Sequence, residues 1–185
     1  LAGEFPEGFY LRQTRHYLIL YDAHHTWADT RATLLESTHN VFLTEMRKAG
    51  FRPLPLRHRL EAVLFNEHRD YAAYSANVDG LNRDWSAGHY SARSNRLIVF
   101  NFHTSPLMTD LLTTMRKAEA TVERRKGEAA ANPGRTGALR AAERRMLIAR
   151  KHYETAAAWG NIRQTLHEAV HQLAFNTNIQ RRDVG

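Results

Sequence analysis

Spacing of apolar positions divides the chain into a mixed first part and a helical second part. Arg15 to Asp22, R-H-Y-L-I-L-Y-D, is a short run of aromatic and branched residues and predicts a strand largely buried on both faces. Asp29 or Thr30 then caps a predicted helix that runs to about Ala49. Leu34, Leu35, Thr38, Val41, Phe42, Glu45 and Met46 lie on or beside its apolar side, and Gly50 ends it. Leu56 to Phe65 reads as a second strand and Glu67 to Ala76 as a short helix containing Tyr71 and Tyr74. Ala87 to Ala92 and Arg96 to Phe102 flank Arg93-Ser94-Asn95, a loop of the length that joins antiparallel strands.

From Pro106 to Trp159 the period is helical throughout. It is interrupted once, at Asn132-Pro133-Gly134-Arg135-Thr136-Gly137, where a proline and two glycines predict a turn. Two helices, about Pro106 to Ala130 and Gly137 to Trp159, are therefore expected to fold back as a hairpin inserted at 106–159. Gly160, Asn161 and Gln164 then resemble a capping-box start, and Asn176 and Asn178 a stop, which predicts a separate helix of three to four turns. On it, Ile162, Leu166, Ala169, Val170 and Leu173 form the predicted apolar stripe, with His167 and His171 about 140° from its centre. Altogether this is an α+β pattern with a small mixed sheet.

That last helix contains the one pattern with a specific chemistry. His167, Glu168 and His171 spell H-E-x-x-H; residues four apart on a helix stand one turn above each other, so both imidazoles can face one Zn²⁺ with a carboxylate beside them. The bland alternative is a pair of histidines on the solvated face of an amphipathic helix. His24, His25 and His103 follow predicted strands and are the other candidate ligands.

Composition narrows the picture. Hydrophobic residues at 43% and charged residues at 24% describe an ordinary globular chain of 185 residues, and no apolar run approaches the ~20 residues of a membrane span. The absence of cysteine removes disulfides, thiolate ligands and cysteine nucleophiles. The net charge of +7 is concentrated: Ser105 to Thr155 holds eleven basic and six acidic residues, five of the excess. Pairs one turn apart, Arg116 with Glu119 and Arg124 with Glu128, are expected on a solvated helix face. Without aromatic interleaving or a recognisable motif, nucleic acid is a disfavoured partner. Leu1 to Tyr10 lacks the plan of a signal peptide, and the start reads as a processed or trimmed end; the absence of cysteine suits a reducing or an oxidising compartment alike, so the compartment stays open, with a secreted or periplasmic location as the guess.

The stretch Thr165, His167, Glu168, His171, Gln172, Leu173 resembles the T-x-H-E-x-x-H-Q-L of gluzincin-like, peptidase-MA-like bacterial proteins of otherwise unknown function. Tyr21 to Thr30 and Gly88 to Arg96 are also similar to that group. The resemblance implies a zincin-like N-terminal half and a zinc metallopeptidase acting on a peptide or protein substrate, with His167 and His171 as metal ligands and Glu168 as general base. It also implies that the substrate lies extended along a sheet edge, for which the strand from about Arg96 to Phe102 is the candidate; the alternative is that this strand is merely structural. The third ligand of gluzincins is a Glu on a later helix, and the sequence stops at Gly185 before any such segment. The expectation is a fragment that holds zinc weakly and does not turn over. The alternative is a non-catalytic zincin-like module that binds a protein partner.

Overall fold

The structure, a computed structural model, describes residues 5, 8–81 and 87–179. Five strands form one mixed sheet: β1 (Tyr10–Gln13), β2 (Tyr17–Tyr21), β3 (Leu60–Phe65), β4 (Gly88–Ser91) and β5 (Arg96–Phe100), in the order β1-β2-β3-β5-β4. The central pairs β2/β3 and β3/β5 are parallel, and both edges are antiparallel. Helix α1 (His25–Lys48) makes the crossover from β2 to β3, and α2 (His68–Asp79) follows β3. The fold is α+β.

Alternation along the three parallel strands makes both faces apolar, as buried parallel strands require. Tyr17, Ile19 and Tyr21 of β2, Leu60, Ala62 and Leu64 of β3, and Leu97 and Val99 of β5 point to one face. There they pack with Ala28, Ala32, Leu35 and Phe42 of α1 and with Ala169 and Leu173. On the opposite face α2 sets Tyr71 against Phe100, ring centroids 4.8 Å apart, and Tyr74 against Phe65 at 5.4 Å.

Helix α1 starts earlier than the sequence pattern predicts. His24 is its cap, the ring Nδ1 accepting from the Thr26 N–H at 3.3 Å, and Asp29 instead pairs with Arg12. Val41, expected on the apolar side, is exposed, while Arg31 and His39 are buried. Glu36 of α1 fastens the β1–β2 connection: it accepts from Thr14 Oγ1 at 2.6 Å and from the His16 N–H at 2.8 Å, and lies 2.6 Å from His16 Nδ1. The His39 ring stacks on His16 at 3.7 Å between centroids. Burial opposes ionisation of Glu36, but these hydrogen bonds outweigh it and hold the carboxyl below its usual range; burial holds the His39 imidazole low.

The helical second part is α3 (Pro106–Ala131), a 3-10 turn (Pro133–Arg135) and α4 (Thr136–Asn176). Contacts divide the chain into a sheet unit, Leu1–Asn101 with Asn161–Gly185, and a helical unit, Phe102–Gly160. The expected break between the inserted hairpin and the H-E-x-x-H helix does not exist: α4 runs for 41 residues without interruption. Gly160 is a point of close approach rather than a helix start, since a Cβ there would sit 2.1 Å from the Phe102 ring. The expected one-turn ion pairs are also rearranged. Glu119 pairs with Arg150 of α4 at 3.0 Å, and Glu128 with Arg125 and Arg135. Among the described residues no helix is long and apolar enough to cross a membrane.

Candidate metal centre

The last four turns of α4 dock on the sheet through polar side chains. Asn161, Gln164, Thr165 and Gln172 are buried with Ala169 and Leu173, whereas Ile162 and Val170 of the predicted stripe are exposed. Polar groups can be buried where they find partners, and most of these do. Gln172 Nε2 donates to the Glu61 carbonyl at 2.9 Å and to the Asn95 carbonyl at 3.1 Å. Asn176 and Asn95 exchange amide hydrogen bonds at 2.7 and 2.9 Å, with Asn95 held in the left-handed region at φ 56° in the β4–β5 turn. Arg31 of α1, buried and with its guanidinium pushed below its usual range by that burial, donates to the Asn161 carbonyl at 2.6 Å. The helix ends in a Schellman arrangement: Asn178 at φ 59°, its N–H donating to the Phe175 carbonyl, and the Ile179 N–H donating to the Ala174 carbonyl.

This docking fixes the rotation of the helix and therefore the direction of its outer face. His167 and His171 are exposed there, Nε2 to Nε2 3.2 Å. Nitrogens that each sit about 2.0–2.1 Å from one zinc in near-tetrahedral disposition lie about 3.3 Å apart. The separation of the two nitrogens matches that distance, and it is equally that of a hydrogen bond from one ring to the other.

Glu168 lies between the outer and the docked faces, its side chain 15% exposed. One carboxylate oxygen, Oε2, accepts from the Tyr90 backbone N–H at 2.8 Å; the other, Oε1, is 4.0 Å from His167 Nε2. Tyr90 is held in turn by its hydroxyl, which donates to Asn95 Oδ1 at 2.8 Å, and by its ring against Phe175. Strand β4, which carries Tyr90, is the sheet edge beside the motif. The strand expected in that role, β5, is interior, paired on both sides by β3 and β4. At the start of β4, Gly88 has φ +155°, and a Cβ there would meet Gln164 Nε2 at 2.7 Å. Both atoms of the Gln164 amide are buried without a partner.

The other candidate ligands are occupied elsewhere or belong to the helical unit. His24 caps α1, His25 Nδ1 lies 2.9 Å from the Tyr21 hydroxyl, and His103 is in the 3-10 turn Phe102–Thr104. Among the described residues no group of three or more His, Cys, Asp or Glu is poised around one point. Asp183 and the rest of 180–185 lie outside the described residues.

Sequence reasoning missed the Tyr90 N–H, a backbone group 78 positions from its acceptor. It also missed the anchoring work of Asn95 and Asn176. Asn95 carried one usable signal, an asparagine in a tight strand connection, where that residue tolerates the left-handed conformation. Comparison with protein-family models, with curated proteins and with solved structures finds no match.

Proposed function

We propose that this chain carries the motif half of a zinc-dependent metallopeptidase site, with His167 and His171 as ligands, Glu168 as general base and a peptide or protein as substrate. The observation that carries this reading is the 3.2 Å approach of the two exposed imidazole nitrogens beside an anchored carboxylate. Zinc, when bound, supplies a Lewis acid and lowers the pKa of a coordinated water towards about 7.

The residues divide the remaining work. The two imidazoles bind through Nε2 as neutral rings. Glu168 takes the proton of the attacking water and returns it to the leaving amine. With Oε2 engaged by the Tyr90 N–H, Oε1 is the oxygen on the histidine side. A hydrolytic zinc takes three protein ligands; the described residues supply two. Zinc held by these two imidazoles alone is therefore expected to bind weakly and not to support turnover.

Titration with Zn²⁺ followed by NMR of the histidine rings tests it. The His167 and His171 signals are expected to move together, with the response lost in His167→Ala and in His171→Ala and retained in Glu168→Gln. Where a third ligand completes the site, Glu168→Gln is expected to abolish peptide hydrolysis while zinc stays bound. Tight zinc that disappears in His24→Ala, His25→Ala or His103→Ala would mean a different metal site. No response at His167 and His171 would leave the non-catalytic interaction module as the better account.

A further inference from the structure

The helical unit holds most of the positive excess of the chain, and part of that charge is neutralised within it. Arg125, Lys126, Arg135 and Arg150 each have an acidic partner. Arg140, Arg144 and Lys151 of α4 have none within ion-pair distance among the described residues, and all three are exposed. At about 100° per residue these three cations share an arc of about 120° with Leu147, Ile148 and Trp159. The apolar three are 61%, 56% and 64% exposed. Ala141, Thr155 and Ala158 complete the arc, Glu143 and Glu154 lie on one flank and His152 on the other, and buried Ala142 lies on the opposite side of the helix.

We infer that this face of α4 docks on an anionic lipid bilayer, lying in the plane of the headgroups. Arg140, Arg144 and Lys151 meet lipid phosphates, and Leu147, Ile148 and Trp159 enter the boundary of the acyl region. A basic helix face with Trp and Leu beside its cations has the composition of interfacial helices that lie on a membrane without crossing it. Nucleic acid satisfies the cations but gives the aliphatic Leu147 and Ile148 nothing to pack against. A second copy of the chain covers the apolar residues but brings the same three cations face to face. A lipid surface accommodates both. This lipid contact involves none of the residues of the metal centre.

Co-sedimentation of the full chain with vesicles is the test. Partition is expected onto phosphatidylcholine vesicles containing about one-third phosphatidylserine and not onto phosphatidylcholine alone. Replacing the cations together, Arg140→Gln, Arg144→Gln and Lys151→Gln, should lower partition about a hundredfold, and Leu147→Ser with Ile148→Ser about tenfold or more. Vesicles should shift the tryptophan emission to the blue, and Trp159→Phe should remove that shift. All of the altered side chains are exposed, so the variants are expected to keep the parent's circular dichroism and unfolding midpoint.

Three results would overturn the inference. One is the absence of partition onto the anionic vesicles. Another is double-stranded DNA bound at least as tightly as the vesicles, with no loss in the Leu147→Ser, Ile148→Ser variant. The third is a concentration-dependent dimer in sedimentation velocity that this same variant dissolves.

Discussion

Helix α4 passes through two settings with opposite rules. Over residues 161–176 it buries Asn161, Gln164, Thr165 and Gln172 and exposes Ile162 and Val170; over residues 136–160 it exposes Leu147, Ile148 and Trp159. Hydropathy alone assigns neither half correctly. In the sheet unit, the Glu61 and Asn95 carbonyls, which accept from Gln172, make an amide side chain the better occupant of a buried position. In the helical unit the core is thin, with Met108, Val122 and Ala142 its buried apolar residues, and large apolar side chains are left outside. Burial of a polar group is decided by the partner available to it.

Gln172 is the strongest point at which to break that comparison. Gln172→Leu roughly keeps the volume and removes both the donor shared by the Glu61 and Asn95 carbonyls and an Oε1 that is buried without a partner; loss of the two donated hydrogen bonds should prevail, at a cost of about 2 kcal/mol in urea unfolding. An unchanged midpoint would mean that polar docking contributes nothing. In the helical unit, Gly160→Ala should lose about 1–3 kcal/mol, because the methyl meets the Phe102 ring, despite the better helix propensity of alanine. A gain in thermal midpoint for that variant would show that the ring moves freely aside.

Gln164 sharpens the rule from the other side. Both of its amide atoms are buried and unpaired, so Gln164→Leu should gain about 1 kcal/mol, opposite in sign to the same change eight residues on. Equal losses at both positions would refute partner-dependent burial. Gly127→Ala on α3, where a Cβ meets nothing within 4 Å, should gain about 0.5–1 kcal/mol by helix propensity alone.

The smallest effect is a slope with pH, and it belongs to the sheet unit. Burial holds His39 below its ordinary 6.5, so the unfolded chain takes up the proton first. The stability that His39 contributes is complete above that value and is lost as pH falls from there towards the lower folded value. Glu36, held below its ordinary 4.5, adds a second loss beginning at more acid pH. Thermal midpoints measured from about pH 7 to 5.5 should fall less steeply in His39→Gln than in the parent; parallel slopes would remove His39 from the account.

Much of the fold was legible because it follows from periodicity and end signals. The buried strand around Tyr17–Tyr21, the helix ending at Gly50, the β4–β5 hairpin and the turn at Pro133 all stand where the pattern predicts them. The failures share a cause. Strand β1, Tyr10–Gln13, is exposed along its length and carries no apolar alternation to betray it. Gly160-Asn161 read as a helix boundary because the sequence does not reveal that Phe102 needs the space of a missing side chain. The exposure of His167 and His171 was foreseen through a stripe that was partly wrong: Ala169 and Leu173 are buried as expected, but Gln164, Thr165 and Gln172 complete the docked face.

The clasp on Glu168 has a consequence for how this site can drift. Its donor is the main-chain N–H of position 90, a group that nineteen of the twenty amino acids supply alike. As far as that bond is concerned, codon 90 is free to vary without the carboxylate registering the change, and proline alone is forbidden. Lineages sharing the clasp need therefore share no letter there, and its inheritance is recorded in the path of the chain rather than in its spelling.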